Sequence, residues 1–301
     1  MKETRRVIAL GFFDGVHNGH GALLRAVTGA AQKLDAAACA FTFDRHPGAA
    51  ITGQNVPLLS SVEDRIWLMR HYYGIQEVIV SPFDGMMRMD WQDFIREYLV
   101  KQLHAVHVIA GHDFHFGYMG KGNPRRLQEV CGQLGVGCEI IGKVEQDGIT
   151  VSSTYLRTLI AQGEMARAHQ FYGHPHTLTN RVAHGKHLGT SAIGFPTVNL
   201  HIPDGVIVPA FGVYATQVHF DEESYAAVTN VGVRPTVQDN DGRVTVEGFI
   251  LDFNGDLYGQ TIRMEFFHRL RGERKFESFQ ALSEEIARNA QQTRDYFQTP
   301  I

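Results

Sequence analysis

Apolar and polar positions in the first half of the chain follow two alternating periods. Short apolar runs typical of strands occur at residues 7–10, 39–43, 78–80, 106–110 and 138–141. Between and after them, apolar residues recur at helical spacing in segments 19–34, 62–72, 91–103, 124–134, 153–161 and 165–172. Strands that alternate with helices of this length predict βαβ units, and therefore a parallel sheet covered on both faces.

The pattern changes from about residue 177. Apolar runs typical of strands now follow one another without helices between them, at residues 212–220, 224–231, 244–253 and 261–267. Glycine, proline and asparagine separate these runs, which predicts a small antiparallel β-barrel. The last segment, 278–297, places Phe279, Leu282 and Ile286 on one face of a helix, with Ser278 as its N-cap.

A length of 301 residues is typical of two domains, each large enough for its own core. Gly173 and Pro175 discourage regular structure near the change of pattern. We therefore predict one domain at residues 1–172, a linker at about 173–180 and a second domain at 181–301.

Composition narrows the classes of function. The net charge of −4 gives no indication of a nucleic-acid partner. The three cysteines are widely spaced, which argues against a disulfide framework and against a zinc site. The apolar run at 7–10 is too short for a signal peptide, and no run approaches the roughly 18 apolar residues of a membrane span. We expect a cytoplasmic protein with no membrane partner.

The strongest local signal is the string GFFDGVHNGH at residues 11–20, which follows the first strand and begins the first helix. Ligands of an open α/β sheet bind at this place, against the free N–H groups of the helix start. Gly15 and Gly19 allow a close approach to an anion. His17 and His20 are spaced to point to one side, where both can hydrogen-bond phosphate oxygens. A glycine-rich turn with two surface histidines stays an alternative, as does a metal site that lacks an evident third ligand.

Four ordered segments resemble the bacterial bifunctional riboflavin kinase/FMN adenylyltransferases, whose first domain is of the nucleotidyltransferase superfamily with its HxGH motif. The string at 11–20 is the first. FTFDRHP at 41–47 resembles the family's FxFxPHP, with Arg45 in place of the usual proline. GHDFHFG at 111–117 resembles GxDFxFG, and VSSTYLR at 151–157 resembles ISSTxIR. The resemblance implies a Rossmann-like, nucleotidyltransferase-like fold for this half.

The resemblance also implies a reaction: the FMN phosphate attacks the α-phosphorus of ATP and expels pyrophosphate. Its catalytic residues here are His17, His20 and Arg157, with Mg²⁺ neutralising further charge. Its ATP- or phosphate-binding residues are Gly11, Phe13, Asp14, Gly15, Ser152, Ser153 and Thr154. Its flavin-binding residues are Phe43, His46 and Asp113. From the residues alone, Ser152 to Thr154 are equally an ordinary helix N-cap.

The distal half contains GFPTVNL at 194–200. Thr197 and Asn199 lie two positions apart, so a strand presents both oxygen donors on one face, where they suit Mg²⁺ and phosphate. A turn before an ordinary strand is the alternative. The segment resembles the riboflavin kinase signature GFPTxNL. Further segments fit the same domain in order: NVGVRPT at 230–236, VEGFILDF at 246–253, DLYG at 256–259 and LRGERKF at 270–276.

The kinase resemblance implies a six-stranded barrel with a terminal helix. It implies that Thr197 and Asn199 bind Mg²⁺ and ATP phosphates, while Glu247 takes the proton of the ribityl 5′-hydroxyl as that oxygen attacks the γ-phosphate. Arg271 and Glu273 would contact the flavin. The loop at 184–193 departs from the family, because it is one residue longer and has no arginine after Gly189.

We therefore predict an enzyme that builds FMN and then FAD from riboflavin with ATP. The altered loop motivates a second hypothesis, an FMN adenylyltransferase whose kinase-like domain only binds flavin. A non-enzymatic flavin-binding or flavin-sensing module is the third. The intact HxGH motif and Glu247 argue against that last hypothesis, because a pure binder has no use for a base beside the γ-phosphate.

Overall fold

A computed structural model of the chain describes residues 4–183, 197–233 and 244–298. It divides into two compact units. Unit 1 comprises Met1–Leu58 and Arg65–Ser153, and unit 2 comprises Leu59–Asp64 and Thr154–Ile301. Among the described residues, no helix combines the length and the apolar character that crossing a bilayer would require.

Unit 1 is built on a five-stranded parallel sheet with strand order β3-β2-β1-β4-β5. The strands are β1 Arg6–Leu10, β2 Ala37–Phe43, β3 Glu77–Ser81, β4 Ala105–Gly111 and β5 Gly137–Ile141. The helices are α1 Asn18–Leu34, α2 Pro47–Thr52, α3 Val62–Tyr73 (most of it in this unit), α4 Phe83–Met86, α5 Trp91–Asp93 and α6 Pro124–Gln133. A small hairpin, β6 Glu145–Gln146 and β7 Ile149–Thr150, follows β5.

Alternation along β1 explains the two cores of this unit. Val7 and Ala9 pack into a cluster with Leu24 of α1, on one face of the sheet. Ile8 and Leu10 pack into a second cluster on the opposite face. Both faces of the sheet are therefore covered, as a parallel sheet requires, and the predicted α/β fold of the first half is confirmed.

The predicted helix at 91–103 has a different geometry in the structure. Only α5 is α-helical, and Phe94–Gln102 continues it as a π-helix. The Leu103 N–H accordingly donates to the Tyr98 carbonyl, five residues back. The buried residues Phe94, Ile95 and Leu99 lie at a spacing that both helix types accommodate, so the hydrophobic pattern alone does not separate them.

Unit 2 is a curled six-stranded antiparallel sheet with strand order β8-β13-β10-β11-β12-β9. The strands are β8 His176–Arg181, β9 Thr197–His201, β10 Gly212–Phe220, β11 Glu223–Val233, β12 Val244–Ile250 and β13 Thr261–Arg271. The Asn180 side-chain amide donates to the His201 carbonyl (2.8 Å), which links the two edge strands of this half-barrel. Helices α7 Ser153–Gln162 and α8 Met165–Tyr172 precede the barrel, and α9 Phe279–Gln298 follows it.

Helix α9 packs through Ala290 against Val213, Val228 and Leu251 of the barrel side. The predicted antiparallel barrel with a terminal helix is therefore confirmed.

The predicted linker at 173–180 is corrected by the structure. Strand β8 occupies most of that segment, because His176–Arg181 pairs with β13 along its whole length. Gly173 ends α8 in a left-handed conformation (φ 83°), so the glycine marks a helix end. The compact units divide after Ser153, which groups α7 and α8 with the barrel.

Gly117 provides a test of the fold of unit 1. Its φ is +71°, and a Cβ there would lie 2.5 Å from the Trp91 Cβ. We expect Gly117→Ala to lower the free energy of unfolding of unit 1 by about 2 kcal/mol. Both tryptophans, Trp67 and Trp91, belong to unit 1, so urea unfolding followed by tryptophan fluorescence reports on this unit.

The matched control is Gly29→Ala in α1, where an added Cβ has nothing within 4 Å. It should stabilise unit 1 by up to about 1 kcal/mol, because alanine is the better helix former. Equal midpoints for the two variants would contradict the strain assigned to Gly117.

Candidate active sites

The loop between β1 and α1 bends through three left-handed residues: Phe13 (φ 57°), Gly15 (φ 74°) and Val16 (φ 45°). The Phe13 ring is fully buried and meets the His20 ring edge-on, with centroids 5.3 Å apart. A Cβ at Gly11 would lie 2.9 Å from the Phe13 ring. The loop therefore needs its glycines to place Phe13 beneath His20.

His17 is the N-cap of α1. Its Nδ1 accepts a hydrogen bond from the His20 N–H (3.3 Å), and the two imidazole rings stack with centroids 3.6 Å apart at 13°. A nitrogen that accepts carries no proton, so the proton of neutral His17 lies on Nε2. A Cβ at Gly19 would lie 3.1 Å from the His17 ring, which explains the glycine of the HxGH motif at this position.

His20 is held in its neutral form. Burial, the neighbouring His17 and the Arg65 guanidinium, in that order, lower the pKa of His20 well below 6.5. Its Nδ1 is buried and has no hydrogen-bond partner among the described residues. The free protein therefore presents a stacked pair of imidazoles at a helix N-terminus, where an anion would relieve the cost of protonating His20.

Arg65 supports the same loop from α3 and is fully buried. Its Nη1 donates to Thr42 Oγ1 (3.0 Å) and to the Phe43 carbonyl (2.9 Å), and its guanidinium stacks 4.2 Å from the Phe12 ring. Thr42 in turn donates to the Phe12 carbonyl (2.7 Å). Sequence reasoning missed Arg65, because an arginine within a helical pattern is typical of a solvent-exposed face and carries no signal of burial.

A cleft of about 670 Å³ opens beside the histidine pair, at the carboxyl edge of the sheet. Eight predicted site residues line it: Gly11, Phe13, His17, His20, Phe43, Asp113, Ser152 and Ser153. Its other walls are largely apolar, with Phe83, Met86 and Met87 on one flank and Tyr118 and Met119 on another. Sequence reasoning missed these apolar residues. Tyr118 and Met119 directly follow the segment at 111–117, which was the available signal.

Other predicted residues support the loop rather than line the cleft. Asp14 and Gly15 are buried within the loop. Ser153 Oγ donates to the Asp14 carbonyl (3.1 Å), so this hydroxyl holds the loop to the start of α7. His46 caps α2, since its Nδ1 accepts from the Ala49 N–H (3.2 Å), and its ring meets the Phe12 ring edge-on.

Two residues of the VSSTYLR segment belong to unit 2. Thr154 is exposed and Arg157 is half-buried, both in the first half of α7. Their predicted roles toward phosphate stay predictions.

Strand register assembles the second predicted site. Glu247 of β12 pairs with Asn199 of β9 on one side and with Asn230 of β11 on the other. Register partners in an antiparallel sheet point to the same face, so three polar side chains from three strands form one row. Thr197 lies two residues before Asn199 and therefore shares that face. Asn230 is absent from the predicted site residues, although it begins the segment at 230–236.

Arg271 is the last residue of β13, and Glu273 lies two residues beyond it. The Arg271 Nε lies 3.1 Å from Glu285 Oε1 and from Asn289 Oδ1, both on α9. This arginine therefore anchors α9, and its predicted flavin contact stays a prediction. Glu273 is exposed, and its Oε1 would lie 2.2 Å from a Cβ at Gly232, two residues after Asn230. The altered loop at 184–193, residues 194–196 and residues 234–236 lie outside the described residues.

Comparison with known proteins gives matches over both halves. A family model described as FAD synthetase matches residues 1–155, and one described as riboflavin kinase matches residues 172–297. The chain is 31% identical to the bifunctional riboflavin kinase/FMN adenylyltransferase of Bacillus subtilis, covering 98% of this chain and 94% of that protein. It is 32% identical to the protein of the same name from Listeria monocytogenes, covering 98% and 93%.

The fold also matches a solved structure. A crystal structure named macrolide-efflux protein, from Streptococcus pneumoniae, superimposes with a TM-score of 0.84 at 28% sequence identity. The match covers 98% of this chain and 95% of that one.

The neutral state of His20 can be measured directly. In an NMR titration of the free protein, we expect the His20 imidazole to take up its proton at a pH well below 6.5, because burial, His17 and Arg65 all oppose the charge. Inorganic triphosphate should raise this pKa, since a bound anion favours the imidazolium. Arg65→Met should raise it without ligand, whereas Arg65→Lys should keep it low. An ordinary pKa in the free native protein would contradict this account.

Proposed function

The chain belongs to the bifunctional riboflavin kinase/FMN adenylyltransferases, and on that premise we propose which of its side chains carry each reaction. It phosphorylates riboflavin to FMN with ATP and adenylylates FMN to FAD. We assign the adenylyl transfer to the first half, which the FAD synthetase model matches, and the kinase reaction to the second half, which the riboflavin kinase model matches. We propose that the protein is located in the cytoplasm, as the sequence analysis predicts.

The adenylyl transfer takes place in the cleft of unit 1. The attacking phosphate of FMN is already an anion, so the step needs positioning and charge stabilisation rather than a base. His17 Nε2–H and N–H groups at the α1 N-terminus donate to the triphosphate, and Ser152, which lines the same cleft, donates as well. The stacked imidazole pair is the observation that carries this proposal, because both rings line the same cleft as Ser152.

His20 responds to the charge of the substrate. In the free protein its pKa is lowered by burial, His17 and Arg65. The negative charge of the triphosphate raises the pKa of His20, so His20 binds a proton as ATP enters. The imidazolium then donates a charged hydrogen bond to the departing pyrophosphate. The apolar residues Phe43, Phe83 and Met86 of the cleft receive the flavin ring, and Asp113, which lines the same cleft, orients its polar parts.

The kinase reaction takes place on the polar row of unit 2. Glu247 accepts the proton of the riboflavin 5′-hydroxyl as that oxygen attacks the γ-phosphorus of ATP and ADP leaves. Asn199 and Asn230 flank Glu247 across the sheet. They hold the carboxylate in place and contact the substrate hydroxyl or a phosphate oxygen.

Magnesium fits the oxygen donors of this row. Among the described residues, no group of three or more His, Cys, Asp or Glu side chains is arranged to hold a metal ion. Thr197 and Asn199 supply a hydroxyl and a carboxamide oxygen on one face, which suits an ion that keeps most of its waters and binds mainly to substrate phosphates. Bound Mg²⁺ would neutralise charge on the β- and γ-phosphates, and the side chains of the row would orient the substrate.

His20→Ala should lower the rate of FMN adenylylation by about 10²-fold, because it removes a donor to the leaving pyrophosphate. Riboflavin phosphorylation should stay unchanged, since His20 belongs to unit 1. Flavins separated by chromatography after incubation with ATP and Mg²⁺ give both rates. The exposed His71 on α3 supplies the control, His71→Ala. Unimpaired FAD synthesis by His20→Ala would remove His20 from the reaction.

Glu247→Gln should lower the rate of riboflavin phosphorylation by at least about 10²-fold, because the amide cannot accept the proton. FMN adenylylation should persist near the native rate. The same chromatographic assay, started from riboflavin or from FMN, separates the two activities. The exposed Glu284 of α9 gives the matched control, Glu284→Gln. A parallel loss of both activities in Glu247→Gln would contradict the assignment of separate sites.

A further inference from the structure

A second row of polar side chains crosses four strands of unit 2. Thr179 of β8, Arg263 of β13, His219 of β10 and Ser224 of β11 are successive register partners, so all four side chains share one face of the sheet. They line a cleft of about 360 Å³. Ser224 lies six residues before Asn230 on β11, which separates this row from the proposed kinase site by about 20 Å of strand.

Two hydrogen bonds link a serine, a histidine and a carboxylate in this row. His219 Nδ1 lies 2.7 Å from Ser224 Oγ, and His219 Nε2 lies 3.0 Å from Glu265 Oε2. Glu265 is only 6% exposed, and it stands two residues from Arg263 on β13. The imidazole thus bridges an exposed hydroxyl and a buried carboxylate.

The buried carboxylate fixes the direction of the bond at Nε2. A carboxylate only accepts, so His219 Nε2 donates to Glu265. In the tautomer with a single ring proton, Nδ1 carries the lone pair, and the Ser224 hydroxyl donates to it. Base and orienting acid occupy opposite ring nitrogens, as a nucleophile–base–acid relay requires, and which nitrogen faces the serine does not alter the chemistry.

We propose that Ser224, His219 and Glu265 form a third catalytic centre, which hydrolyses small esters. Ser224 Oγ bonds to the ester carbonyl carbon while His219 Nδ1 takes the serine proton. The carbon–oxygen bond to the leaving group then breaks, and His219 returns the proton to the released alcohol. Water attacks the acyl-serine in the same way, with its proton passing through His219 back to Ser224 Oγ as the free acid leaves.

The lining of the cleft determines the class of ester. Arg263 is its one cationic side chain among the described lining residues, and its Nε lies 3.8 Å from Glu265 Oε1. In this proposal it stabilises the negative charge that develops on the carbonyl oxygen. Three carboxylates at the β10–β11 turn and the start of β11 also line the cleft: Asp221, Glu222 and Glu223. These repel anions, so the centre accepts neutral or cationic esters and disfavours esters that carry a carboxylate.

The test uses the full-length protein with a fluorophosphonate and with p-nitrophenyl acetate. The native protein should be phosphonylated at Ser224, identified by peptide mass mapping, and should release p-nitrophenol faster than buffer. Ser224→Ala and His219→Gln should each lower this rate by about 10²-fold. Ser224→Ala changes only an exposed side chain, so both flavin reactions should continue and show that it is folded. Ser283→Ala on α9 is the matched control.

Two results would overturn the proposal. The first is a phosphonyl adduct that is absent or lies on another residue, and the second is ester hydrolysis by Ser224→Ala at the native rate. Either result would show that Ser224 and His219 are only a cross-strand polar pair without catalytic activity. The substrate class is tested with p-nitrophenyl succinate, which should react more slowly than the acetate at low salt. Added salt should narrow that difference, and equal rates at low salt would contradict the electrostatic selection.

Discussion

One hydrogen bond, from the His20 N–H to His17 Nδ1, organises the proposed adenylyl-transfer site. It commits a ring nitrogen of His17 to the backbone, fixes the tautomer, and brings the two rings into a stack. The bond forms only because the preceding residues take left-handed conformations and Gly19 leaves space for the ring. The position of the two histidines in the cleft therefore depends on the backbone conformation of the loop that precedes α1.

Periodicity and motif spacing were sufficient to predict both folds and the position of the first motif in the fold. That position follows from local rules, since a motif between β1 and α1 must lie at the carboxyl edge of the sheet. Arg65 could not be predicted, because its burial depends on Thr42 and Phe43 of a distant strand. The π-helix at Phe94–Gln102 was not predicted either, because the spacing of its apolar residues also fits an α-helix.

The two sites differ in how their side chains are brought together. In unit 1, neighbours in sequence form the histidine pair, so one motif contains it. In unit 2, β9, β11 and β12 each contribute one member of the polar row. The pairing of these strands, which lie tens of residues apart in sequence, determines which side chains are neighbours. Sequence reasoning therefore found Asn199 and Glu247 as separate signals, but it could not place Asn230 next to them.

The pairing of β8 with β13 bears on how the two activities can be physically separated. A kinase fragment that starts at residue 181 would lack this edge strand, and the backbone groups of Thr261–Phe266 would lose their partners along that side. A bare edge of this kind recruits other chains and promotes aggregation. Dissection by truncation therefore has to cut upstream of His176, so that the barrel keeps all six of its strands.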